Sequence, residues 1–344
     1  MSDTIEISDR SALPEHPLVS VYMLAYRHET FIAEAIEGVI AQQRDFPMEL
    51  IIGEDCSPDR TRQIALDYQS RYPALIRVIY GEANVGAKLN NARCQAAVRG
   101  DYVAICEGDD YWCDPTKLAR GIDLFKKHPA CSLIFHAARV VDANDGRELS
   151  ATRWPFRSRR FTLKELILGD GGLVPTASIL VKRSVFEQHP AWASAVSVGD
   201  YPLVLRAAQT GDVIYLDRIM SVYRSNVPHS WTQRHVPNLA HRFGYASQID
   251  AMLTGLQAEL PRSEWGAIRT TISKYYSDVL VRVDGAQEER ADLYDRVRQK
   301  IRGSDRVLAW LASRHGIRLP IVKDIIRKTK TLLRVVRAQF RPGI

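Results

Sequence analysis

The stretch Gly100-Asp101-Tyr102-Val103-Ala104-Ile105-Cys106-Glu107-Gly108-Asp109-Asp110 runs an apolar strand into three carboxylates within four residues. Charges gathered at one strand end repel one another unless a cation lies among them. Hard divalent ions such as Mg²⁺ and Mn²⁺ take oxygen ligands, commonly one or two carboxylates together with phosphate oxygens of a substrate. Gly108 removes a side chain that would obstruct a diphosphate approaching the backbone. The same residues also read as a solvated acidic turn, with Asp110 or Asp114 capping the next helix.

Upstream, three more apolar runs precede this strand: Leu18–Ala25, Met48–Glu54 and Ala74–Tyr80. Each is followed by a helical pattern. Glu29–Gln43 places Phe31, Ile32, Ala35, Ile36, Val39 and Ile40 on one face. Ser57-Pro58 opens a helix to Arg71 with an N-cap and a first-turn proline, and Asp114-Pro115 does the same for a helix through Lys127. Gly86–Arg99 is the helix between the third and fourth strands, ended by Gly100. Strands alternating with helices at this spacing predict an α/β fold with a mainly parallel sheet covered on both faces. Ligands then bind beyond the strands' carboxyl ends, near a switch in strand order. Three strands end in polar groups suited to such a cleft: Tyr26-Arg27-His28-Glu29, Glu54-Asp55 and Glu107–Asp110. No G-x-G-x-x-G follows the first strand, and Gly169-Asp170-Gly171-Gly172 follows a helical pattern, which argues against a dehydrogenase. Downstream, Thr176–Val181 and Val213–Leu216 read as strands, and Tyr201–Gln209 as a helix entered through Gly199-Asp200.

Composition sets the outer limits. Hydrophobic residues form 46% and charged residues 25% of the 344-residue chain, the balance of an ordinary globular protein. No run approaches the roughly 20 apolar residues of a membrane-spanning helix, and the first 17 residues lack the apolar core of a signal peptide. The five cysteines are odd in number and contain no C-x-x-C pair, so neither a disulfide framework nor a zinc site is expected, and the compartment is read as reducing and cytoplasmic. The net charge of +7 resides entirely in the stretch from Gly316 onward, where eight Lys and Arg face Asp324 alone. There Ile321, Val322, Ile325, Ile326, Leu332, Leu333, Val336 and Phe340 share one helical face, a pattern suited to an anionic membrane surface on the inner face of the cytoplasmic membrane, or to a second subunit. No nucleic-acid groove is indicated. The expected division is a flexible lead-in at 1–16, a catalytic domain at 17–234 and a helical extension at 235–344, with the boundary near Arg234.

These residues carry a resemblance. Leu18–Tyr26, Ala35–Gln42, Glu49–Thr61, Asn84-Val85-Gly86, Gly100-Asp101-Tyr102, Glu107–Asp110, Gly199–Arg206 and Tyr223-Arg224 follow, in order, the pattern of family 2 of the nucleotide-sugar glycosyltransferases, bacterial cell-surface polysaccharide type. The resemblance implies a GT-A fold and transfer of sugar with inversion from a nucleoside diphosphate sugar, a UDP-sugar in the first instance, to a glycan or lipid-linked acceptor. It implies that Asp55 holds the base beside Ala25, Tyr26 and Glu29, and that Lys88 reaches base or phosphates. Asp109 matches the family's metal-binding aspartate, with Glu107 where Asp is usual, and Gly108 lies between them. Asp200 matches the catalytic base that deprotonates the acceptor hydroxyl, although Gly199 stands where the family has glutamate. An Asx-type cap of the following helix is the competing reading of Asp55, and a helix N-cap that of Asp200. His229 is a further candidate for metal or diphosphate. Arg224 is open between a phosphate contact and an ion pair, and Trp112, Trp192 and Trp231 are open between sugar stacking and core. Two other functions fit less of the sequence: a catalytically idle membrane scaffold, and a sugar nucleotidyltransferase, which would need an early glycine-rich basic loop.

Overall fold

The computed structural model describes residues 4–153, 157–230, 232–233, 239–282, 287–303, 306 and 309. Two compact units emerge, Met1–Ser230 and Trp231–Ile344. Arg234, Trp231 and the basic stretch from Ile321 lie outside the described residues.

The first unit is built on one mixed sheet. Strands β1 (Ile5–Ile7), β2 (Val19–Ala25), β3 (Met48–Glu54), β4 (Ile76–Tyr80) and β5 (Tyr102–Ile105) alternate with helices α1 (Ile32–Ile40), α2 (Thr61–Arg71) and α3 (Ala87–Ala97). Then follow β6 (Tyr111–Trp112), α4 (Lys117–Lys127), β7 (Cys131–Asp142), β8 (Glu148–Thr152), β9 (Arg159–Phe161), α5 (Leu163–Gly169), β10 (Leu180–Lys182), α6 (Arg183–Phe186), α7 (Asp200–Thr210) and β11 (Asp212–Ser225). Spatial order is β1-β4-β3-β2-β5-β10-β7-β11-β6, with β8 on β7 and β9 on β11. The run β4-β3-β2-β5 is parallel, in register from Val19 opposite Met48 and Tyr102 to Ala25 opposite Glu54. Its strands are apolar on both faces because both are covered. Val19, Val21 and Met23 pack with Ile36 of α1, Tyr68 of α2 and Ile122 of α4 in one core. On the other face Gly53 leaves room for Cys94 of α3, whose Sγ would lie 2.3 Å from a Cβ at that position. The remaining pairs mix both senses: β10 is antiparallel to β5 and β7, while β7 and β11 run parallel. The expectation of parallel pairing therefore holds for the first four central strands and gives way beyond β5.

The chain leaves β2 toward β3 and β4 on one side and returns to β5 on the other. The switch in strand order lies between β2 and β5, and the acidic turn follows β5 there.

Several boundaries differ from expectation, each for a local reason. Within the expected lead-in at 1–16, Ile5–Ile7 is ordered as β1, which pairs antiparallel with β4, and Glu6 binds Arg77 at 2.9 Å. Arg77 also meets fully buried Glu49 at 2.9 Å, so this strand covers a charge cluster. Helix α2 starts at Thr61, because Ser57 Oγ accepts the Arg27 N–H (3.1 Å) and Asp59 closes a turn onto the Thr61 N–H (3.0 Å). Helix α4 starts at Lys117, because Asp114 Oδ1 closes a turn onto the Thr116 N–H and hydroxyl. Thr176–Ser178 is a single 3₁₀ turn before β10 rather than strand.

The second unit contains α8 (Leu239–Gln257), α9 (Trp265–Arg282) and α10 (Gln287–Val297). Its interior holds Ile249, Met252, Leu253, Ile268 and Leu280, and buried Asp250 accepts the Tyr276 hydroxyl at 2.9 Å. No helix among the described residues is long and apolar enough to cross a membrane.

Candidate active site

Three carboxylate positions form the site, each held differently. At the end of β3, Asp55 is 3% exposed and clasps the loop before α3: Oδ1 accepts the Val85 N–H at 2.8 Å and Oδ2 the Gly86 N–H at 2.9 Å. The Asn84 amide donates to the Asp55 carbonyl at 2.8 Å, and the Asp55 N–H donates to the Ala25 carbonyl at 3.0 Å. Gly86 has φ +83°, a conformation that favours glycine and explains the Asn84-x-Gly86 spacing. Asp55 is therefore not the cap of the helix after Ser57. Glu54 accepts the Cys56 and Ser57 N–H groups (3.2 and 2.6 Å) and pairs with Arg62 at 2.7 Å.

Around this clasp, Ala25 is buried and Tyr26 is half-buried, with the Arg27 guanidinium 5.4 Å from its ring centre. Glu29 is exposed and ties two loops together, accepting the Arg60 N–H at 3.0 Å while its own N–H donates to Asp59 at 3.3 Å. Lys88 is exposed in the first turn of α3.

The acidic turn hangs on β2 through the Gly108 N–H, which donates to the Leu24 carbonyl at 2.9 Å. A Cβ on Gly108 would lie 2.8 Å from His28 Nδ1 and 3.2 Å from that carbonyl. The glycine thus makes room for an imidazole, where sequence reading had it clear the way for a diphosphate. His28 Nε2 lies 3.9 Å from Asp109 Oδ2, and His28 Nδ1 is buried without a hydrogen-bond partner. Asp109 remains 20% exposed. Asp110 is 2% exposed and turned inward, where it accepts the Arg224 N–H at 2.9 Å. Arg224 Nη1 donates to the Asp109 carbonyl at 2.9 Å, and its other nitrogen pairs with Glu34 of α1. The guanidinium stands 4.4 Å from the Tyr111 ring and 5.1 Å from Phe31. Arg224 is therefore engaged as the clamp of the turn. Burial, reinforced by the charges of Asp109 and Asp200, pushes the Glu107 carboxyl up to about 8. Burial, with Asp109 and Glu107, also raises Asp110 well above the ordinary carboxylate range.

Asp200 is the first residue of α7, with Gly199 at the cap position expected for Asp200 itself. Its Oδ1 accepts the Tyr201 N–H at 2.7 Å and its Oδ2 the Thr176 hydroxyl at 2.9 Å. Burial raises its pKa, and the two hydrogen bonds oppose that rise. Beside it lies a small pocket of about 10 Å³, lined by Leu166, Leu173, Val174 and Val204 together with Asp170, Gly171 and Tyr201.

The structure thus brings Glu107 and Asp109 onto one turn, with Asp200 near enough that its charge adds to the rise of Glu107. It does not add His229, which is exposed with φ +61°. Among the described residues no group of three His, Cys, Asp or Glu side chains is assembled as a metal cage. The imidazole against Asp109 belongs to His28. In the sequence His28 stands only as part of a polar loop and Thr176 only as the start of an apolar run, since neither carries a periodic or spacing signal for the site. Trp112 and Trp192 are 3% and 6% exposed, so both are core residues rather than sugar-stacking surfaces.

Known proteins resemble this chain in sequence and fold. The profile of the family described as Glycosyl transferase family 2 matches residues 20–189. An uncharacterized protein of Mycobacterium tuberculosis is 33% identical over 240 residues, 68% of this chain and 68% of that protein. A Bacillus subtilis protein named "Putative teichuronic acid biosynthesis glycosyltransferase TuaG" is 32% identical over 133 residues, 39% of this chain and 51% of that protein. Among solved structures, residues 1–349 of Staphylococcus aureus TarS, in complex with UDP-GlcNAc, superpose with a TM-score of 0.63 at 16% identity, covering 86% of this chain and 88% of that one. That likeness carries the fold. Sequence motifs, sheet topology and the acidic turn at the switch point agree with these matches: the chain belongs to glycosyltransferase family 2 and is a glycosyltransferase of the GT-A fold.

Proposed function

We propose that the chain transfers a sugar, with inversion, from a nucleoside diphosphate sugar to a hydroxyl of a glycan or lipid-linked acceptor in cell-envelope polysaccharide synthesis. The observation that carries this reading is the convergence of the Asp55 clasp and the acidic turn at one switch point, with Asp200 placed so that its charge reaches Glu107. A UDP-sugar donor is supported by the UDP-GlcNAc bound to TarS, and the envelope role by the teichuronic acid assignment of TuaG.

In this reading Tyr26, Asp55 and the loop from Asn84 to Lys88 receive the base, and Asp109 and Glu107 face the diphosphate. The donor set fits a hard divalent cation: two carboxylates, both partly exposed, in a turn where mutual repulsion and desolvation already oppose ionisation. Bound there, Mg²⁺ or Mn²⁺ supplies charge neutralisation for the departing nucleoside diphosphate. Asp200 takes the proton of the acceptor hydroxyl as it attacks the anomeric carbon from the face opposite the leaving group. Burial favours a base nearer neutrality than a free aspartate.

Thermal-shift measurement with UDP-GlcNAc, UDP and GDP, each with Mn²⁺ or with EDTA, tests the donor half. A ligand at about a hundred times its Kd stabilises the folded state by about 2.7 kcal/mol. The expected result is a rise in melting temperature for a UDP ligand that EDTA abolishes. No shift with any nucleotide would remove the donor reading.

The basic apolar-faced tail supports attachment to the inner face of the cytoplasmic membrane. Truncation after Gly316 is expected to abolish co-sedimentation with vesicles containing phosphatidylglycerol. Retention of binding would point the tail toward a second subunit instead.

A further inference from the structure

The fold contains a second device at the acceptor end, resting on the reading of Asp200 as the base. We propose that Thr176 is a positioning residue, which fixes the Asp200 carboxylate in its working orientation and is itself registered against the acidic turn through Trp112. The Thr176 hydroxyl donates to Asp200 Oδ2 at 2.9 Å, and the Tyr201 N–H donates to Oδ1 at 2.7 Å. One donor per oxygen defines the plane of the carboxylate while leaving each oxygen a further lone pair for an acceptor proton.

Thr176 opens a 3₁₀ turn pinned at its base, where the Ser178 hydroxyl donates to the Pro175 carbonyl at 2.6 Å. The next residue in the turn, Ala177, accepts the Trp112 indole N–H at 2.9 Å. Trp112 lies two residues beyond Asp110, is 3% exposed, and pairs with Ser221 of β11. A continuous path of short contacts therefore runs from the acidic turn through Trp112, Ala177 and Thr176 to Asp200. It spans the cleft from the donor-facing carboxylates to the base. The pocket beside Asp200 is lined by apolar Leu173, Val174 and Val204, whose side chains offer no donor, and by Tyr201, whose hydroxyl already donates to the Ile167 carbonyl at 3.2 Å. Without the hydroxyl, only the Tyr201 N–H restrains the carboxylate, its orientation is less defined, and one stabiliser of its ionised form is gone.

The test compares Thr176→Val, which keeps the shape, with Thr176→Ser, which keeps the hydroxyl, in the full chain. Melting temperatures confirm that both fold. UDP release from UDP-GlcNAc with Mn²⁺, water standing in for the acceptor, is followed against pH. In parallel, carbon-13 NMR follows the Asp200 carboxyl through its titration, assigned with Asp200→Asn, and needs no donor. Thr176→Val is expected to lower turnover roughly tenfold with an unchanged KM. It should also move the acidic limb and the carboxyl titration to higher pH, with Thr176→Ser restoring both. A Thr176→Val protein with the wild-type titration overturns the proposal. If Asp200→Asn turns over donor like wild type, the base assignment itself falls, and this proposal with it. If Asp200→Asn is inactive while Thr176→Val behaves as wild type, only the role of Thr176 falls.

Discussion

In the proposed reading Asp55 and the acidic turn form a donor wall and Asp200 an acceptor wall, and the two are held in different ways. On the donor wall, Asp55 grips two backbone N–H groups, and Asp110 a third, from Arg224. On the acceptor wall, Asp200 has the N–H of its own neighbour and one side-chain hydroxyl from a turn 24 residues earlier. Backbone grips survive most substitutions in the gripped loop and demand particular residues only where φ is positive, as at Gly86. A side-chain grip depends on one residue. The donor wall is therefore expected to tolerate change around it, while the acceptor wall should fail at single points.

The largest effect should come from the groups facing the chemistry. Asp109→Asn is expected to lower Mn²⁺-stimulated turnover about a thousandfold, the loss of a charge-stabilising group at the leaving diphosphate. Asp200→Asn should lower transfer by roughly 10²- to 10⁴-fold while leaving the UDP-induced rise in melting temperature intact. That contrast separates the walls: one variant loses donor-linked metal response, the other keeps it. If both keep full activity, the cleft is not the site of transfer. Because burial raises Asp200, activity should fall off on the acid side at a pH above that of an ordinary aspartate near 3.8. An acid limit at or below the ordinary value would count against Asp200.

A smaller effect is expected at Asp55. Asp55→Ala removes both grips on the loop at Val85 and Gly86, leaving two N–H groups to solvent. A loss of about 2 kcal/mol in unfolding free energy is expected, since hydrogen bonds to a charged acceptor contribute more than neutral ones. The donor KM should rise by roughly tenfold or more, with a smaller change in kcat. Asp55→Asn keeps the shape but adds an N–H group where an acceptor is needed, so it should resemble the alanine variant. Wild-type KM in both would mean that the loop needs no clasp to bind donor.

This division also explains what the sequence disclosed. The parallel half was legible because strands buried on both faces are continuous apolar runs, and because Asn84-x-Gly86 marks a turn that needs glycine. Met48–Glu54 was read to the residue. The later half was legible only in part: Tyr201–Gln209 lies in α7 and Val213–Leu216 in β11, but β7 was missed and β11 runs well beyond the expected strand. Strand β7 spans 12 residues and β11 spans 14, yet both mix exposed and buried positions, and β11 pairs with β7 through register shifts. No local periodicity marks such strands, since their neighbours are set by distant pairing. The same holds for the site. Asp55, Asp109 and Asp200 stood in recognisable motifs. His28 gains its place only because Gly108, eighty residues later, lacks a side chain. Likewise, Arg224 became a clamp because β11 carries it to Asp110 and Glu34, a meeting that spacing cannot reveal.

The smallest expected effect concerns the frame beneath the acceptor wall. Lys117 is 2% exposed, its Nζ has no hydrogen-bond partner, and it stands 4.1 Å from the centre of the Trp112 ring. Burial pulls its pKa from 10.5 down to about 7, while the ring face favours the ammonium in part. Below pH 7 the lysine is charged in both folded and unfolded chains, and the folded state carries the full cost of the buried charge. Between about 7 and 10.5 the unfolded chain binds the extra proton, so stability rises with pH across that window. Above it both forms are neutral and the contribution is constant. Lys117→Met keeps the volume and removes the charge. It should stabilise the protein at pH 6.5 by about 1–3 kcal/mol and flatten the rise, as read from urea unfolding at pH 6.5 and 9.5. A variant less stable at pH 6.5, with the slope unchanged, would show that the ammonium is held in place by the indole. Trp112 would then depend on Lys117 for its position, and the path from the acidic turn to Thr176 would begin one residue earlier than the hydrogen bonds indicate.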